Sequence, residues 1–288
     1  MCEKQAPGPQ QVRVQGNLSS KVWVTSGVPQ GSVLGPLLFV ILMSDIDQGI
    51  DFATVFSYAD DTKAINAIDD NIDQENLQLD LASFFAWAEI NNADFNTDKF
   101  ESITFSSTGV CHQYQNPEGK PIKAKTQLRD LGVIMSNDAT FDRHIQVITA
   151  NATRLSGWAL RVFDSRDITT MLTIYRSLIR HALEYCSPLW FPTDQANIAS
   201  IEKVQRYFTR RIDGMQGLNY WQRLKKLNLF SLERRRERYV VIYIWKSWHN
   251  IVPDIGLTVQ SFDPQQGLFY SYICRSYRRG RGKPIYAN

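Results

Sequence analysis

Phe56-Ser57-Tyr58-Ala59-Asp60-Asp61 is the stretch that most restricts what this chain can fold into. Two adjacent carboxylates follow an apolar, β-prone run, Phe52 to Phe56, and precede a second β-compatible run, Thr62 to Asn66. Val, Phe, Tyr and Thr favour strands, whereas Asp favours turns. The pattern predicts strand, tight turn, strand, with both acids at the tip. Like charges repel, so a pair of ionised carboxylates is stable beside something positive. A hard divalent cation answers that need, because magnesium takes oxygen ligands from one or two carboxylates. Taken alone, the hexapeptide fits a solvated turn as well as a metal-holding one.

The surrounding charges separate into two regions. From Asp45 to Asp80 they are acidic apart from Lys63, whereas from Lys203 to Lys246 they are mostly basic. The formal net charge of +3 conceals this division. An acidic region able to hold metal and a basic region able to face phosphate suit work on nucleic acid. Arginine-rich helix faces are also commonly plain solvated surface.

Other classes are disfavoured. Cys2, Cys111, Cys186 and Cys274 have no zinc-site spacing, and the four histidines complete none, so four free thiols in a reducing, intracellular compartment are expected. The start, Met1 to Pro7, is polar and lacks a signal-peptide pattern. The longest apolar run, near Val33 to Met43, falls short of the roughly 20 residues needed to span a bilayer. With an apolar share of 43%, a sizeable core can form.

Residues 1–10 are rich in Gly, Pro and Gln and are expected to be disordered. Val12, Val14, Gly16-Asn17 and Val22 to Val24 predict a hairpin. A Gly/Pro loop, Gly27 to Gly31, then feeds a helix capped by Ser32 and buried through Leu37, Leu38, Val40, Ile41 and Leu42. Leu77 to Ile90 repeats at helical spacing, with Trp87 in the core. A strand region ends at Phe105, an exposed loop or hairpin spans 109–125, and Leu128 to Met135 forms one strand. Beyond Thr140 the pattern becomes helical: one helix through Val162, a second stopped by Pro188, a third from Ile198 to Asp213, a short one at 221–229, and a long one capped by Ser231. The tail, 253–288, is basic, with Arg278-Arg279-Gly280-Arg281. The fold class is α+β: a small antiparallel sheet with packed helices over 11–137, then an all-helical region over 138–252.

Gly27-Val28-Pro29-Gln30-Gly31 to Phe39, followed by Tyr58-Ala59-Asp60-Asp61, resembles the reverse transcriptases of non-LTR (LINE-type) retrotransposons. The likeness continues through Trp87, Asn96 to Lys99, Leu131-Gly132-Val133, Leu183-Glu184-Tyr185, Ile201 to Arg206 and Leu227 to Arg236, in the manner of the jockey and chicken-repeat branches. The resemblance implies a partial polymerase palm over 11–137, a helical thumb over 138–252 and RNA-directed DNA synthesis, with an RNA template, a DNA primer and deoxynucleoside triphosphates as partners. It assigns Asp60 and Asp61 to Mg2+ in a two-metal site, Pro29, Gln30 and Gly31 to the nucleotide, Lys99 to the leaving pyrophosphate as an acid, and Leu131 and Gly132 to the primer. Lys99 also fits a solvated turn lysine, and Leu131-Gly132 also fits a plain edge strand.

The family's third carboxylate sits in a motif before the Gly-Val-Pro-Gln-Gly loop. Upstream of Gly27 the only acid is Glu3. The expectation is therefore a truncated polymerase with little activity alone, or a non-catalytic nucleic-acid-binding remnant that keeps the basic thumb. No membrane partner is expected, and the sequence assigns no oligomeric state.

Overall fold

The computed structural model describes residues 8–24, 31–93, 95–106 and 112–252. Pro29, Gln30, Cys2, Cys111, Cys274 and the tail from 253 lie outside them. Contacts divide the chain into two compact units, Met1–Lys125 and Thr126–Asn288. The class is α+β, but the expected single sheet is instead five separate two-stranded pairs.

In the first unit, β1 (Gly8–Gln10) pairs antiparallel with β4 (Val22–Val24). The expected disordered start therefore gives way to a strand from Gly8. Within that pair, β2 (Arg13–Val14) and β3 (Asn17–Leu18) form a hairpin. Its turn residues, Gln15 and Gly16, both have positive φ, the requirement of a tight two-residue hairpin turn.

Helix α1 (Gly35–Met43) begins three residues after Ser32. Leu34 occupies the cap position, while the Ser32 hydroxyl accepts from the Gly35 N–H at 3.1 Å. The expected burial of α1 does not occur. Leu37, Val40 and Ile41 are 56%, 63% and 58% exposed, and Gly35 is its one buried residue. The helix is apolar on every side, and among the described residues only its ends are covered: Gly35 is buried and Met43 packs on the core of Ile46, Phe84 and Trp87.

β5 (Thr54–Tyr58) and β6 (Asp61–Ile65) form the hairpin, and α2 (Asn71–Ile90) packs against it. Asp70 caps α2 by accepting from the N–H groups of Ile72 and Asp73 at 2.8 and 3.0 Å. Ile46, Phe84, Trp87 and Ala88 make the buried core, with Val55 and Ala64 packed on it. After a 3-10 turn at Thr97–Lys99, β7 (Glu101–Ser102) pairs parallel with β8 (Lys123–Ala124). Tyr114 and Ile122 are buried, so the expected exposed loop is in part a packed one.

In the second unit, β9 (Gln127–Asp130) and β10 (Val133–Ser136) form a hairpin where one strand was expected. Leu131 and Gly132, with φ of 43° and 89°, are its turn. Glycine takes positive φ at no steric cost, which lets the chain reverse here.

α3 (Asp142–Val162) and α4 (Ile168–Ile174) follow, the latter capped by Asp167 accepting from Thr170 N at 2.9 Å. A π-helical segment, Tyr175–Arg180, continues into α5 (His181–Glu184). This helix stops at Tyr185, ahead of Pro188, where the chain swings to φ +54° at Cys186. α6 (Gln195–Thr209), α7 (Tyr220–Leu227) and α8 (Leu232–Trp248) complete the unit. Ser231 caps α8 as its sequence suggests, accepting from Arg234 N at 3.2 Å. The core runs from Val133 and Ile145 through Met171, Tyr175, Trp190, Ile201 and Phe208 to Leu232. No helix among the described residues is long and apolar enough to cross a membrane.

Candidate functional site

The acid pair lies at the tip of the β5–β6 hairpin. The register sets Tyr58 opposite Asp61, Ser57 opposite Thr62, Phe56 opposite Lys63 and Val55 opposite Ala64. Alternation then separates two faces. Val55, Ser57, Thr62 and Ala64 share the face toward α2, where the Ser57 and Thr62 hydroxyls meet at 3.1 Å. Phe56, Tyr58, Asp61 and Lys63 share the other, on which Phe56 and Tyr58 are exposed. Asp60 sits in the two-residue turn beside Ala59, and both acids are exposed.

Ala59 has φ +53°, a left-handed conformation that costs an L-residue roughly 1–2 kcal/mol. A positive φ is what a two-residue hairpin turn requires. The open end of the hairpin is held separately. The buried Asp80 carboxylate on α2 accepts from three successive backbone N–H groups, Asp51 and Phe52 at 3.0 Å and Ala53 at 2.6 Å. Charge-assisted bonds of this kind are the strong ones. They fix the chain immediately before β5, and the Trp87 indole N–H donates to Asp45 at 2.9 Å to hold the segment before that.

Those contacts also sort the acidic region. Asp45, Asp70, Asp73 and Asp80 hold helix and strand backbone or the Trp87 ring. Sequence composition grouped them with Asp60 and Asp61, but their carboxylates are engaged in structure. Asp80 was missed as the anchor of the chain entering β5. Its one sequence signal, a carboxylate on the same helix as the core residue Trp87, is too weak to name the backbone groups it reaches.

The other expected site residues are placed as follows. Gly31 is exposed, with φ +82° and no heavy atom within 4 Å of where a Cβ would stand. Lys99 ends the 3-10 turn and is exposed. In the second unit, the Tyr185 hydroxyl donates to the Leu131 carbonyl at 2.9 Å, and its ring would lie 3.3 Å from a Cβ at Gly132. The glycine is thus needed for its positive φ and for close approach of the ring. Beneath this turn the Ile134 N–H donates to His144 Nδ1 at 3.2 Å, and burial pushes the His144 pKa down.

Two carboxylates in adjacent positions offer hard oxygen donors of the type magnesium accepts. Among the described residues, however, no group of three or more His, Cys, Asp and Glu side chains converges. The donors here do not make up a full two-metal centre, and no step of phosphoryl chemistry is assigned to them alone.

A second candidate surface, absent from the sequence expectations as a set of named residues, forms in the helical unit. A groove of about 510 Å³ is lined by Arg176, Arg180, Glu184, Arg235, Tyr239, Tyr243 and Lys246, among others. Glu184 binds Arg235 through Nε and, at 3.0 Å, Nη2, and lies 3.6 Å from Arg180 Nε. That bidentate contact raises the Arg235 pKa further.

Residues 3–135 match the model of the family described as reverse transcriptase (RNA-dependent DNA polymerase). The chain is 29% identical over 216 residues to the RNA-directed DNA polymerase from mobile element jockey of Drosophila melanogaster, a match covering 70% of this chain and 23% of that protein. It is 26% identical to the probable RNA-directed DNA polymerase from transposon X-element of the same species, over 71% of this chain and 24% of that one. For the probable RNA-directed DNA polymerase from transposon BS, also of Drosophila melanogaster, the figures are 24%, 81% and 27%. The chain therefore spans about a quarter of the length of these curated relatives.

Proposed function

We propose that the chain serves RNA-templated DNA synthesis, because residues 3–135 match the reverse transcriptase family model and the chain is similar to the RNA-directed DNA polymerases of jockey and X-element. In this reading the hairpin tip presents Asp60 and Asp61 as carboxylate donors at the polymerising centre. The observation that carries it is the placement of two adjacent acids, both exposed to solvent, at the tip of a two-residue hairpin turn within the family-matched stretch.

The remaining assignments follow the same reading. Gly31, with Pro29 and Gln30, contacts the incoming nucleotide. Lys99 supplies a proton near the departing pyrophosphate. The Leu131-Gly132 turn, held by Tyr185, meets the primer, and the helical unit acts as a thumb on an RNA–DNA duplex. Magnesium, when bound, would supply Lewis-acid stabilisation of the phosphoryl oxygens. The pair needs a further carboxylate for that, so the chain on its own is expected to bind the ion weakly and extend primers poorly.

Manganese-induced NMR line broadening tests the pair without requiring activity. Broadening should concentrate on Tyr58 to Thr62 and disappear in both Asp60→Asn and Asp61→Asn. Broadening that is unchanged in both variants would remove the metal role. Primer extension on poly(rA)/oligo(dT) with magnesium is the companion measurement, and vigorous extension by this chain would overturn the expected weakness. A second reading, nucleic-acid binding without catalysis, is favoured by the basic run from Lys203 to Lys246 in the helical unit. It requires duplex binding that persists in Asp60→Ala and weakens with salt.

A further inference from the structure

We propose that the groove between the π-helical segment and α8 holds one nucleotide of a single-stranded nucleic acid, with its phosphate on Arg176 and Lys246 and its base against Tyr243. This rests on the reading that the chain works on nucleic acid, but names a strand and residues that the reading does not.

Charge is the first argument. Arg176, Arg180, Arg235 and Lys246 face the groove against one acid, Glu184. That carboxylate is already shared by Arg235 and Arg180. No described acid lies in ion-pair range of Arg176 or Lys246, which are both exposed. Two cations on opposite walls therefore await an anion, and a phosphodiester supplies one with several acceptor oxygens.

Ring geometry is the second. Tyr239 and Tyr243 stand four residues apart on α8, so they share one helix face. The Tyr239 hydroxyl is tied to Arg235 at 2.5 Å and to Glu184 at 3.4 Å, which fixes the first ring. Tyr243, one turn further on and half-buried, lines the same groove beside Lys246. A ring next to a cation is the standard equipment for a stacked base and its phosphate. In a duplex the base faces are already stacked on one another, so only an unpaired base can use that ring.

The backbone supplies the third. A π-helical turn is rare, and such turns occur frequently at functional sites. This one carries Arg176 and Arg180, and forms one wall of the groove while its inward residues, Tyr175 and Ile179, stay in the core.

Fluorescence anisotropy on the full chain tests the proposal, with labelled oligo(dT) and oligo(rU) strands and the matching blunt duplex. The Arg176→Ala/Lys246→Ala double variant should weaken single-strand binding about tenfold or more and flatten its salt dependence by about 0.7 in log–log slope, the share of one phosphate. Tyr243→Ala should cost about tenfold, and Tyr243→Phe should restore binding, since the ring is what stacks. Duplex affinity should change less than about twofold in every variant. Arg154→Ala, an exposed cation on α3, is the control and should leave both affinities unchanged. Equal losses for duplex and single strand, or no loss in the double variant, would overturn the proposal. So would a Tyr243→Phe protein that binds as poorly as Tyr243→Ala. Asp60→Asn should leave single-strand binding intact, so loss of the polymerase reading and loss of the groove would be told apart.

Discussion

The two units bury apolar surface by different means. The one carrying the acid pair has a small core gathered along one face of α2, and it leaves α1 and the outer hairpin face in water. The helical unit has a long continuous core, crossed by a hydrogen-bonded cluster of Tyr175, Glu202, Gln205 and Tyr220, while the buried Arg236 guanidinium has no hydrogen-bond partner among the described residues. In that second unit the Glu202 carboxylate accepts from the Tyr220 hydroxyl and from the Leu232 N–H at 3.0 Å, capping α8 from a neighbouring helix. Gln205 accepts from Tyr175, donates to the Tyr220 hydroxyl at 2.7 Å, and reaches the Phe230 carbonyl at 3.1 Å. Burial pushes the pKa values of Tyr175 and Tyr220 up, so both hydroxyls stay protonated as donors. The contrast teaches that one unit is stabilised from within, while the other exposes an apolar helix of the kind that normally lies buried.

The sharpest way to break that contrast is to remove the acid at the centre of the helical network. Glu202→Ala strips the acceptor from the N-terminus of α8 and from the Tyr220 hydroxyl, and removes a negative charge that favours the charged form of the buried Arg236. The expected loss is about 3–5 kcal/mol, since each orphaned buried donor costs about 1–3 kcal/mol, read as a lower urea midpoint with emission from the fully buried Trp190 as the probe. A loss below about 1 kcal/mol would mean that the network contributes little and that packing alone holds the helices.

Asp80→Ala makes the matching cut in the other unit. Three backbone N–H groups lose their acceptor, at an expected cost of about 2–3 kcal/mol. Amide hydrogen exchange should accelerate from Asp51 through Tyr58 while the helical core stays protected. Acceleration throughout both units would show that they unfold together and would dissolve the comparison.

The smallest expected effect is a pH dependence confined to the helical unit. Folding holds His144 neutral, because burial disfavours the imidazolium and Nδ1 must accept from Ile134. The unfolded chain takes up the proton at the ordinary value of about 6.5. This contribution is therefore complete above pH 6.5 and is lost as pH falls from there toward the lowered folded value. Urea midpoints should drop between pH 7.5 and 5, and the drop should shrink in His144→Asn. An identical drop in that variant would assign the acid sensitivity elsewhere.

Much of the secondary structure was legible because its causes are local. The Asp60-Asp61 hairpin follows from period-two alternation around a turn, and α8 from Ser231 followed by a long helical repeat. Leu131-Gly132 was misjudged because a short apolar run hid a turn whose signal was the glycine itself. The burial expected of α1 failed for a different reason: an apolar helix asks for cover, but the sequence cannot say whether the described chain provides it. Of the candidate site, the acid pair was evident, whereas Asp80 beneath it and the basic groove were not.

The sequence by itself determined where the long helices lie and that paired carboxylates stand at a hairpin tip. Each of these depends on residues within a few positions of one another. Tertiary structure alone decided that Asp80 anchors the chain entering β5 from 27 to 29 residues away, that Glu202 caps a helix 30 residues on, and that Glu184 meets Arg235 across 51. Those pairings depend on how helices and strands pack, and packing brings together side chains that no local periodicity relates.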